Sequence, residues 1–517
     1  MAEQYYDILI KNGTLYDGTL AGPITADVGI IGDKIARVGT IAGEADRIID
    51  AGGLAVTPGF IDVHTHCDSP FKLSAQFLKT APTVPSVKGN WNYLYQGVTT
   101  VVSGNCGSGF ADASQWLDIV GAIGFGTNVF HLVPHGQIRT EVLGADQPVE
   151  PTANQLDALR DRVAEEMEKG AVGLSTGLIY FPGFVTTTKE IVELAKVAAR
   201  YGGLYATHIR DESGRLNERG EIGVVESVKE AIEIGRRAEL PVNISHLKII
   251  RPPRGADARL ILDIIEQARS EGLAVTADQY PYDASSTQLH SILPDEFVGA
   301  GGVKEQFKTG EGRKSLVKAL AEVLAVTTPD RILISEHRKN RRLEGKSLAE
   351  IARAQNQSPD ETALEMFCQP AAPLAVFFSQ SMDVVRQIMA RDYILTGSDG
   401  WTTHKDRLKP HPRCYGTFPR KIRQFALDEK IIGLPFAIRS MTSLPAETFH
   451  LQGRGRIEEG CFADVAVIDM ARFRDRADFA DPHQYADGVE FLLVNGVLAI
   501  ERGRATGHGG GQGLRRN

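Results

Sequence analysis

Long apolar runs and dense cysteines are both missing from this 517-residue chain. No stretch of about 18 consecutive apolar residues occurs, which excludes a membrane-spanning helix. The first seven residues are acidic and aromatic rather than basic and then apolar, so we expect no secretory signal. The five cysteines are odd in number and scattered, which excludes a disulfide framework and predicts a cytoplasmic protein: they are Cys67, Cys106, Cys368, Cys414 and Cys461.

The chain also lacks a long run of basic residues. It has 57 Lys and Arg against 65 Asp and Glu, a formal net charge of −8. This mildly acidic balance argues against nucleic acid or an anionic membrane as the main partner. Hydrophobic residues make up 42% of the chain and charged residues 24%, values of an ordinary globular protein that exclude disorder. At about 150 residues per domain the length predicts roughly three domains, whereas the oligomeric state stays open.

Both ends of the chain have the alternating pattern of short β-strands. Near the start, the pairs Asn12-Gly13 and Gly32-Asp33 supply hairpin turns between such strands. The same pattern returns only near the end, with Asn495-Gly496 as a turn. We predict one small β-sandwich domain built from residues 1–57 and 415–517, with two separate β appendages as the alternative.

In the middle of the chain, short apolar runs alternate with amphipathic helical stretches, the pattern of βα units and a parallel sheet. Eight strands are predicted, at residues 60–63, 98–102, 128–132, 172–175, 204–207, 242–245, 274–277 and 394–397. The fold class is therefore α/β, with a (β/α)₈ TIM-like barrel over residues 58–414. An open doubly wound sheet is the alternative, but no G-x-G-x-x-G follows the first strand. The polar segment 289–345 is predicted to be an insertion before the last strand, and a lid.

Potential metal ligands follow five of the eight predicted strands. A barrel gathers the carboxyl ends of its strands at one face, where the active sites of such folds lie. His64 and His66 are two residues apart, so in an extended segment both side chains point the same way. Imidazole, thiolate and carboxylate groups are the donors that hold Zn²⁺. Each residue alone has an ordinary structural explanation, but the set predicts a metal centre: His64, His66, Cys106, His208, His246 and Asp399.

These motifs resemble the amidohydrolase superfamily. The resemblance lies in TPGFIDVHTH at residues 57–66, the two later histidines, the last-strand aspartate and GCFADVAVID at 460–469. Within the superfamily, further motifs resemble the N-acyl-D-amino-acid deacylases, or D-aminoacylases. They are GNCG at 104–107, GLSTGLIY at 173–180, YPY at 280–282, GSDG at 397–400, PHPR at 410–413 and GTFP at 416–419.

The resemblance also implies how the metal is held. Many amidohydrolases bridge two metals with a carboxylated lysine after the fourth strand, but here that strand leads into residues 173–177, which contain no lysine. In the D-aminoacylase-like group a cysteine bridges instead, and Cys106 stands at the matching position. The resemblance implies a tight zinc held by Cys106, His208 and His246. It also implies a second, weaker position, near His64, His66 and Asp399.

The function implied by the resemblance is zinc-dependent hydrolysis of the amide bond of N-acyl-D-amino acids, giving a free D-amino acid and a carboxylate. Asp399 is the one anionic oxygen donor of the set, and we predict it as the general base. The carboxylate of such a small-molecule substrate needs a donor clamp, predicted from Lys248, Tyr282, Ser285 and Arg413. The alternatives are a cyclic-amide hydrolase, resembling dihydroorotase or hydantoinase, and a barrel that serves only as a binding scaffold.

Overall fold

The structure is a computed structural model, and it describes residues 4–72, 83–145, 147–216, 220–250, 257–293, 309–325, 327–369, 373–405 and 408–516. Within these ranges the elements follow one another as five strands, a barrel with an inserted sheet, a helical segment and four further strands. No helix in them combines the length and the apolar character that crossing a bilayer requires.

Five strands at the N-terminal end begin a β-sheet beside the barrel. They are β1 (Tyr6–Leu15), β2 (Ile24–Ile31), β3 (Lys34–Gly39), β4 (Ala45–Asp50) and β5 (Ala55–Pro58). β1 pairs antiparallel with β2, and parallel with β4 along its first part and β5 along its last part. The register of β1 shifts between Ile10 and Gly13, where Asn12 has a φ of 63°. This bulge lets one strand serve two parallel neighbours.

The barrel begins with strands that carry the polar residues at their carboxyl ends. They are β6 (Phe60–Asp62), β7 (Val98–Ser103), β8 (Asn128–His131), β9 (Val133–Pro134), β10 (Gly173–Gly177), β11 (Leu204–His208), β12 (Val242–Ile244) and β13 (Val275–Gln279). All neighbouring pairs among them are parallel. β8 lies within the predicted third strand, and β9 continues it past the predicted end at residue 132, after an interruption at Leu132. β13 extends past the predicted end at residue 277, so that Asp278 belongs to the strand.

A three-stranded antiparallel sheet lies in the chain between β13 and the last barrel strand. It consists of β14 (Ser285–Gln288), β15 (Ile332–Glu336) and β16 (Leu374–Phe377). The hydroxyls of Thr287 and Tyr180 lie 3.3 Å apart, and Arg413 Nη2 donates to Ser286 O at 3.4 Å. These contacts hold β14 against the barrel mouth. Part of the predicted insertion 289–345 lies outside the described residues, and its role as a lid stays a prediction.

The last barrel strand, β17 (Ile394–Thr396), closes the ring. It pairs with β13, and beyond its end Asp399 N donates to His64 O at 2.8 Å, while His66 N donates to Gly400 O at 2.7 Å. The predicted barrel is therefore confirmed. Its interior is an apolar cluster that includes Ile61, Val63, Val102, Phe130, Leu132, Leu204 and Leu395.

Helices cover the outside of the barrel, and their apolar faces pack on the strands. Thr152 and Gln155 form a capping box at the start of one of them, as the T-x-x-Q spacing favours. The longer helices are Ala113–Ile123, His135–Leu143, Ala153–Glu168, Thr188–Arg200, Gly223–Ala238, Arg259–Ser270, Gly310–Leu324, Leu348–Gln355, Pro359–Phe367, Met382–Met389 and Arg413–Arg420. The last continues as a wider π-helical stretch, Lys421–Asp428, followed by Leu434–Arg439 and Ser443–Thr448.

Four C-terminal strands complete the β-sheet, namely β18 (Val465–Ile468), β19 (Val489–Val494), β20 (Val497–Glu501) and β21 (Arg504–Ala505). Antiparallel pairing of β18 with β5 joins the two chain ends in one nine-stranded sheet, which confirms the shared β domain. The domain boundaries stay a prediction. The strands of the second segment begin only at Val465. Between residues 413 and 448 the chain instead forms four helical stretches, the first of which packs on the barrel, where the rings of Phe60 and Phe418 stack at 5.8 Å.

The C-terminal segment 507–516, called the glycine-rich tail below, runs along the N-terminal end of the barrel strands. Val129 N donates to Gln512 O at 2.9 Å, and Leu514 N donates to Val129 O at 2.8 Å. The backbone approaches so closely that a Cβ built on Gly513 lies 2.0 Å from Leu117 O. The tail therefore covers the end of the barrel opposite to the polar strand ends.

Candidate functional site

The thiol of Cys106 is the centre of a buried cluster at the carboxyl ends of the barrel strands. Its Sγ lies 3.3 Å from His64 Nε2, 3.7 Å from His208 Nδ1 and 3.6 Å from His246 Nε2. These residues follow or end four different strands, as the sequence predicts. The barrel thus brings one thiol and three imidazoles into mutual contact.

Beside this cluster, Asp399 joins the remaining histidine to a buried guanidinium. Asp399 Oδ1 lies 3.3 Å from His66 Nε2 and 3.7 Å from His64 Nε2, and its Oδ2 lies 2.9 Å from Arg413 Nη2. His64 therefore stands between the thiol and the carboxylate. All six predicted donors lie in one continuous site.

Three of these residues have backbones in the left-handed region that side chains other than glycine rarely adopt. The φ angles are 55° at Cys106, 37° at His246 and 51° at Asp399. Such angles carry a strain of roughly 1–3 kcal/mol each and are held only where the surrounding structure fixes them. The neighbouring Gly104 and Gly107 also have positive φ, at 79° and 65°, which lets the loop turn tightly after β7.

The electrostatics of the cluster favour an anionic thiol and carboxylate. Burial by itself raises the pKa of Cys106, but the charge of His64 and the hydrogen bonds to the other rings outweigh it and lower the pKa well below its usual value. Burial likewise raises the pKa of Asp399, while Arg413 and His66 lower it to a net value well below the usual range. Burial lowers the pKa of His66, but Asp399 and Cys106 raise it to about 9.

Two further carboxylates touch the rings, and the sequence did not single them out. Glu212 Oε1 lies 3.4 Å from His208 Nε2 and 3.3 Å from His246 Nδ1. Asp278 Oδ1 lies 3.4 Å from His64 Nδ1 and accepts from His246 N at 2.9 Å. Asp278 could have been predicted from the sequence, because it directly follows the predicted seventh strand. Glu212 lies in a loop four residues after a ligand, and no periodicity indicates that this loop folds back.

A third carboxylate ties the first and last barrel strands together. Asp62 Oδ1 accepts from His64 N at 3.1 Å and from Ser398 N at 2.9 Å. Burial raises the pKa of Asp62 to about 7 against the opposing effect of these hydrogen bonds. This carboxylate fixes the distance between the segments that carry His64 and Asp399.

The predicted substrate-binding residues fall into two groups. Arg413 and Lys248 lie within the cluster, since Arg413 contacts Asp399 and Lys248 Nζ contacts Glu212 Oε1. Tyr282 and Ser285 make no hydrogen bond or ion pair with the six donors among the described residues. Tyr282 is buried, with its ring edge-on to His411 at 5.1 Å, and Ser285 is half-buried at the start of β14.

The spacing between the sulfur and the two nitrogens fits a zinc ion. A tetrahedral zinc with bonds of about 2.3 Å to sulfur and about 2.0–2.1 Å to nitrogen separates sulfur and nitrogen by about 3.5 Å. The distances of 3.7 Å and 3.6 Å from Cys106 Sγ to the nitrogens of His208 and His246 agree with that edge. One thiolate with imidazoles is also a donor chemistry that zinc favours.

Comparison with known proteins agrees with this chemistry. A family model described as "Amidohydrolase family" matches residues 47–254 and 341–500. The D-aminoacylase of Alcaligenes xylosoxydans xylosoxydans is 33% identical over 537 residues, covering 99% of this chain and 98% of that protein. The N-acyl-D-glutamate deacylase of the same organism is also 33% identical, over 100% of this chain and 98% of its own length.

A solved structure is similar over the same extent. It is the N-acyl-D-glutamate deacylase of Bordetella bronchiseptica, complexed with zinc and a phosphonate inhibitor that mimics the tetrahedral intermediate of its reaction. The TM-score is 0.82 at 31% identity, and the match covers 99% of this chain and 100% of that one.

Proposed function

The chain belongs to the amidohydrolase family, and on that basis we propose that it is a zinc-dependent deacylase of N-acyl-D-amino acids. It hydrolyses the amide bond with one water molecule, giving a free D-amino acid and a carboxylate. The observation that carries the proposal is the contact of Cys106 Sγ with the ring nitrogens of His208 and His246. The names of the two full-length relatives at 33% identity support the substrate class.

Two groups of residues hold metal in this proposal. Cys106, His208 and His246 hold the tight zinc, and His64, His66 and Asp399 form a second, weaker position. Zinc, when bound, lowers the pKa of a coordinated water from ~15.7 toward ~7 and polarises the amide carbonyl. Five of the six donors are buried and His66 is half-buried, which limits the access of bulk water to the reacting atoms.

Asp399 acts as the general base. Arg413 and His66 keep its carboxylate ionised, so it accepts the proton of the attacking water and returns it to the departing nitrogen. The contact between Asp399 Oδ1 and His66 Nε2 at 3.3 Å orients the carboxylate toward the thiol cluster. With this proton the nitrogen leaves as a neutral amine, whereas without it the nitrogen would have to leave as an anion.

Arg413 binds the substrate carboxylate. Its side chain is buried, and Nε and Nη1 have no hydrogen-bond partner among the described residues. A buried guanidinium with donors that lack a partner fits a carboxylate, which accepts charge-assisted hydrogen bonds from it. Lys248, Tyr282 and Ser285 are further candidates for this role, and the hydroxyl of Tyr282 is likewise buried without a partner.

The cyclic-amide hydrolase is the less supported alternative, because the two relatives at 33% identity are named for linear substrates. A barrel that serves only as a binding scaffold is expected to have lost metal ligands, whereas all six donors are present and lie together in this site. We also propose a cytoplasmic location, which is supported by five free cysteines. That the protein takes no nucleic acid or membrane partner stays a prediction.

A metal analysis combined with one substrate panel tests the proposal. We expect about one tightly held zinc per chain, and turnover of N-acetyl-D-amino acids that is lost on chelation and restored by zinc. The panel contains apolar, acidic and basic side chains in both the D and L forms, together with hydantoin and dihydroorotate. Turnover of the cyclic amides alone would replace this function with the alternative, and zinc-free protein that added metal does not activate would favour the scaffold.

A further inference from the structure

Glu212 is a buried carboxylate that the proposed reaction does not use. It lies in the loop after β11, and this loop is held in place because Ile250 N donates to Glu212 O at 2.8 Å and Gly214 N donates to Ile250 O at 3.0 Å. Its Oε1 faces the outer ring nitrogens of His208 and His246, on the sides of these rings that point away from Cys106. One oxygen therefore faces both rings from behind.

The two rings need such an acceptor if they bind metal. A neutral imidazole carries its proton on one nitrogen, so the nitrogen that faces a metal is free only when the other nitrogen holds the proton. Metal-binding histidines usually donate that proton to a carboxylate or carbonyl, which fixes the ring and the tautomer. His208 Nε2 is buried and makes no hydrogen bond among the described residues, and Glu212 Oε1 at 3.4 Å is the acceptor nearest to it on record in the site.

Lys248 is the reason why His246 needs the Glu212 carboxylate as an acceptor. Its Nζ contacts Glu212 Oε1 and also lies 2.8 Å from His246 Nδ1. An ammonium can only donate, so alone it favours a lone pair on Nδ1 and the proton on Nε2, the nitrogen that faces Cys106. That tautomer of His246 cannot bind a metal through Nε2.

We propose that Glu212 is a positioning residue, which holds His208 and His246 in the tautomers that bind zinc and keeps Lys248 from imposing the opposite one on His246. The inference rests on the proposed zinc ligands and extends them by one residue. Glu212 touches neither substrate nor reacting atoms.

Zinc affinity, measured by competition with a chromophoric chelator and without substrate, tests the proposal. We expect Glu212→Gln to weaken zinc binding about 10- to 100-fold, the usual effect of losing such a partner. Lys248→Met alone should bind zinc nearly as tightly as the wild type. The double variant Glu212→Gln/Lys248→Met should bind zinc more tightly than Glu212→Gln, because the competing donor is gone.

Glu230→Gln is the matched control, since Glu230 pairs with Arg210 at 2.8 Å and, within the part of the chain that the structure describes, forms no hydrogen bond or ion pair with the rings. Thermal unfolding of the zinc-free proteins shows whether each variant folds. If Glu212→Gln does not fold, Glu212→Asp replaces it, because its shorter side chain keeps the charge but withdraws the carboxylate from the rings. Unchanged zinc affinity in the Glu212 variant, or a double variant no tighter than Glu212→Gln, would overturn the proposal. Wild-type protein that binds zinc but cleaves no N-acyl-D-amino acid would overturn the proposed function instead.

Discussion

At the scale of single residues, the site combines charges of both signs among side chains that are mostly buried. Cys106 and Asp399 are held as anions by the histidines and by Arg413, and each anion has at least two positive or hydrogen-bonding neighbours. An unpaired buried charge is strongly unfavourable, so removing one member leaves its partner without compensation. For each variant of this site, the metal content should therefore be measured together with kcat.

Asp399→Asn removes the proposed base while keeping the shape of the side chain. We expect kcat to fall by about 10²- to 10⁴-fold, the usual contribution of general acid–base catalysis. Steady-state kinetics on protein with a confirmed zinc content checks this. A kcat near that of the wild type would end the assignment of Asp399.

Arg413→Lys keeps the charge but loses the planar guanidinium and its additional donors. We expect kcat/KM for an N-acyl-D-amino acid to fall about 10- to 100-fold, since a hydrogen bond to a charged group contributes about 1.5–3 kcal/mol. The carboxamide of the same substrate is the control, because it carries no carboxylate and should lose much less. Equal losses on both substrates would remove Arg413 from carboxylate binding.

The six donors could be predicted from the sequence because each is fixed by a local rule. A polar residue after a strand of a barrel lies at the shared face, wherever the strand stands in the chain. Glu212 and Asp278 were missed for different reasons. Asp278 directly follows the predicted seventh strand, so the same rule applies to it and it was overlooked. The place of Glu212 depends instead on a loop whose path is set by its pairing with Ile250.

At the scale of elements, the helical segment 413–428 places a lysine side chain in the protein interior. Lys421 is fully buried, and its Nζ donates to Thr396 Oγ1 at 2.9 Å, behind the last residue of β17. Burial lowers its pKa from 10.5 to about 7. The sequence shows Lys421 only as one cation among many, because burial of this face depends on the whole barrel.

Lys421→Met should change how stability depends on pH. Between pH 7 and 10.5 the unfolded chain binds a proton at Lys421 that the folded chain lacks, so the free energy of unfolding rises with pH through this window. One such proton contributes up to about 1.4 kcal/mol per pH unit. Denaturant unfolding at pH 7 and 9 should show a smaller rise in the variant, and greater stability than the wild type at pH 7. Identical pH dependence in both proteins would contradict the assigned pKa.

At the scale of the whole molecule, the two ends of the chain meet far from the polar strand ends. β18 pairs with β5, and the tail pairs with Val129 at the start of β8. Alternation and turn motifs predicted the shared sheet, but the glycine-rich tail has no periodicity. Its role became visible only from the close approach of its backbone to the barrel.

Gly513→Ala should destabilise the protein without affecting catalysis. The new Cβ would lie 2.0 Å from Leu117 O, a backbone atom that cannot move aside easily. We expect a loss of about 1–3 kcal/mol in the free energy of unfolding, as for other overpacked sites, with unchanged kcat. Gly310→Ala is the control, because nothing lies within 4 Å of a Cβ there. Equal stability of the two variants would show that the tail does not brace the barrel.

The hydrogen bond from Ser398 N to Asp62 Oδ1 spans 336 residues of chain. A ribosome releases the N-terminal part first, so a nascent polypeptide exposes Cys106, His208 and His246 long before Asp399 emerges. The three proposed ligands of the tight zinc can therefore meet early, whereas the pairing of His66 with Asp399 must wait until nearly the whole barrel has been translated. We expect the nascent chain to bind zinc at Cys106, His208 and His246 before the general base, Asp399, has been translated.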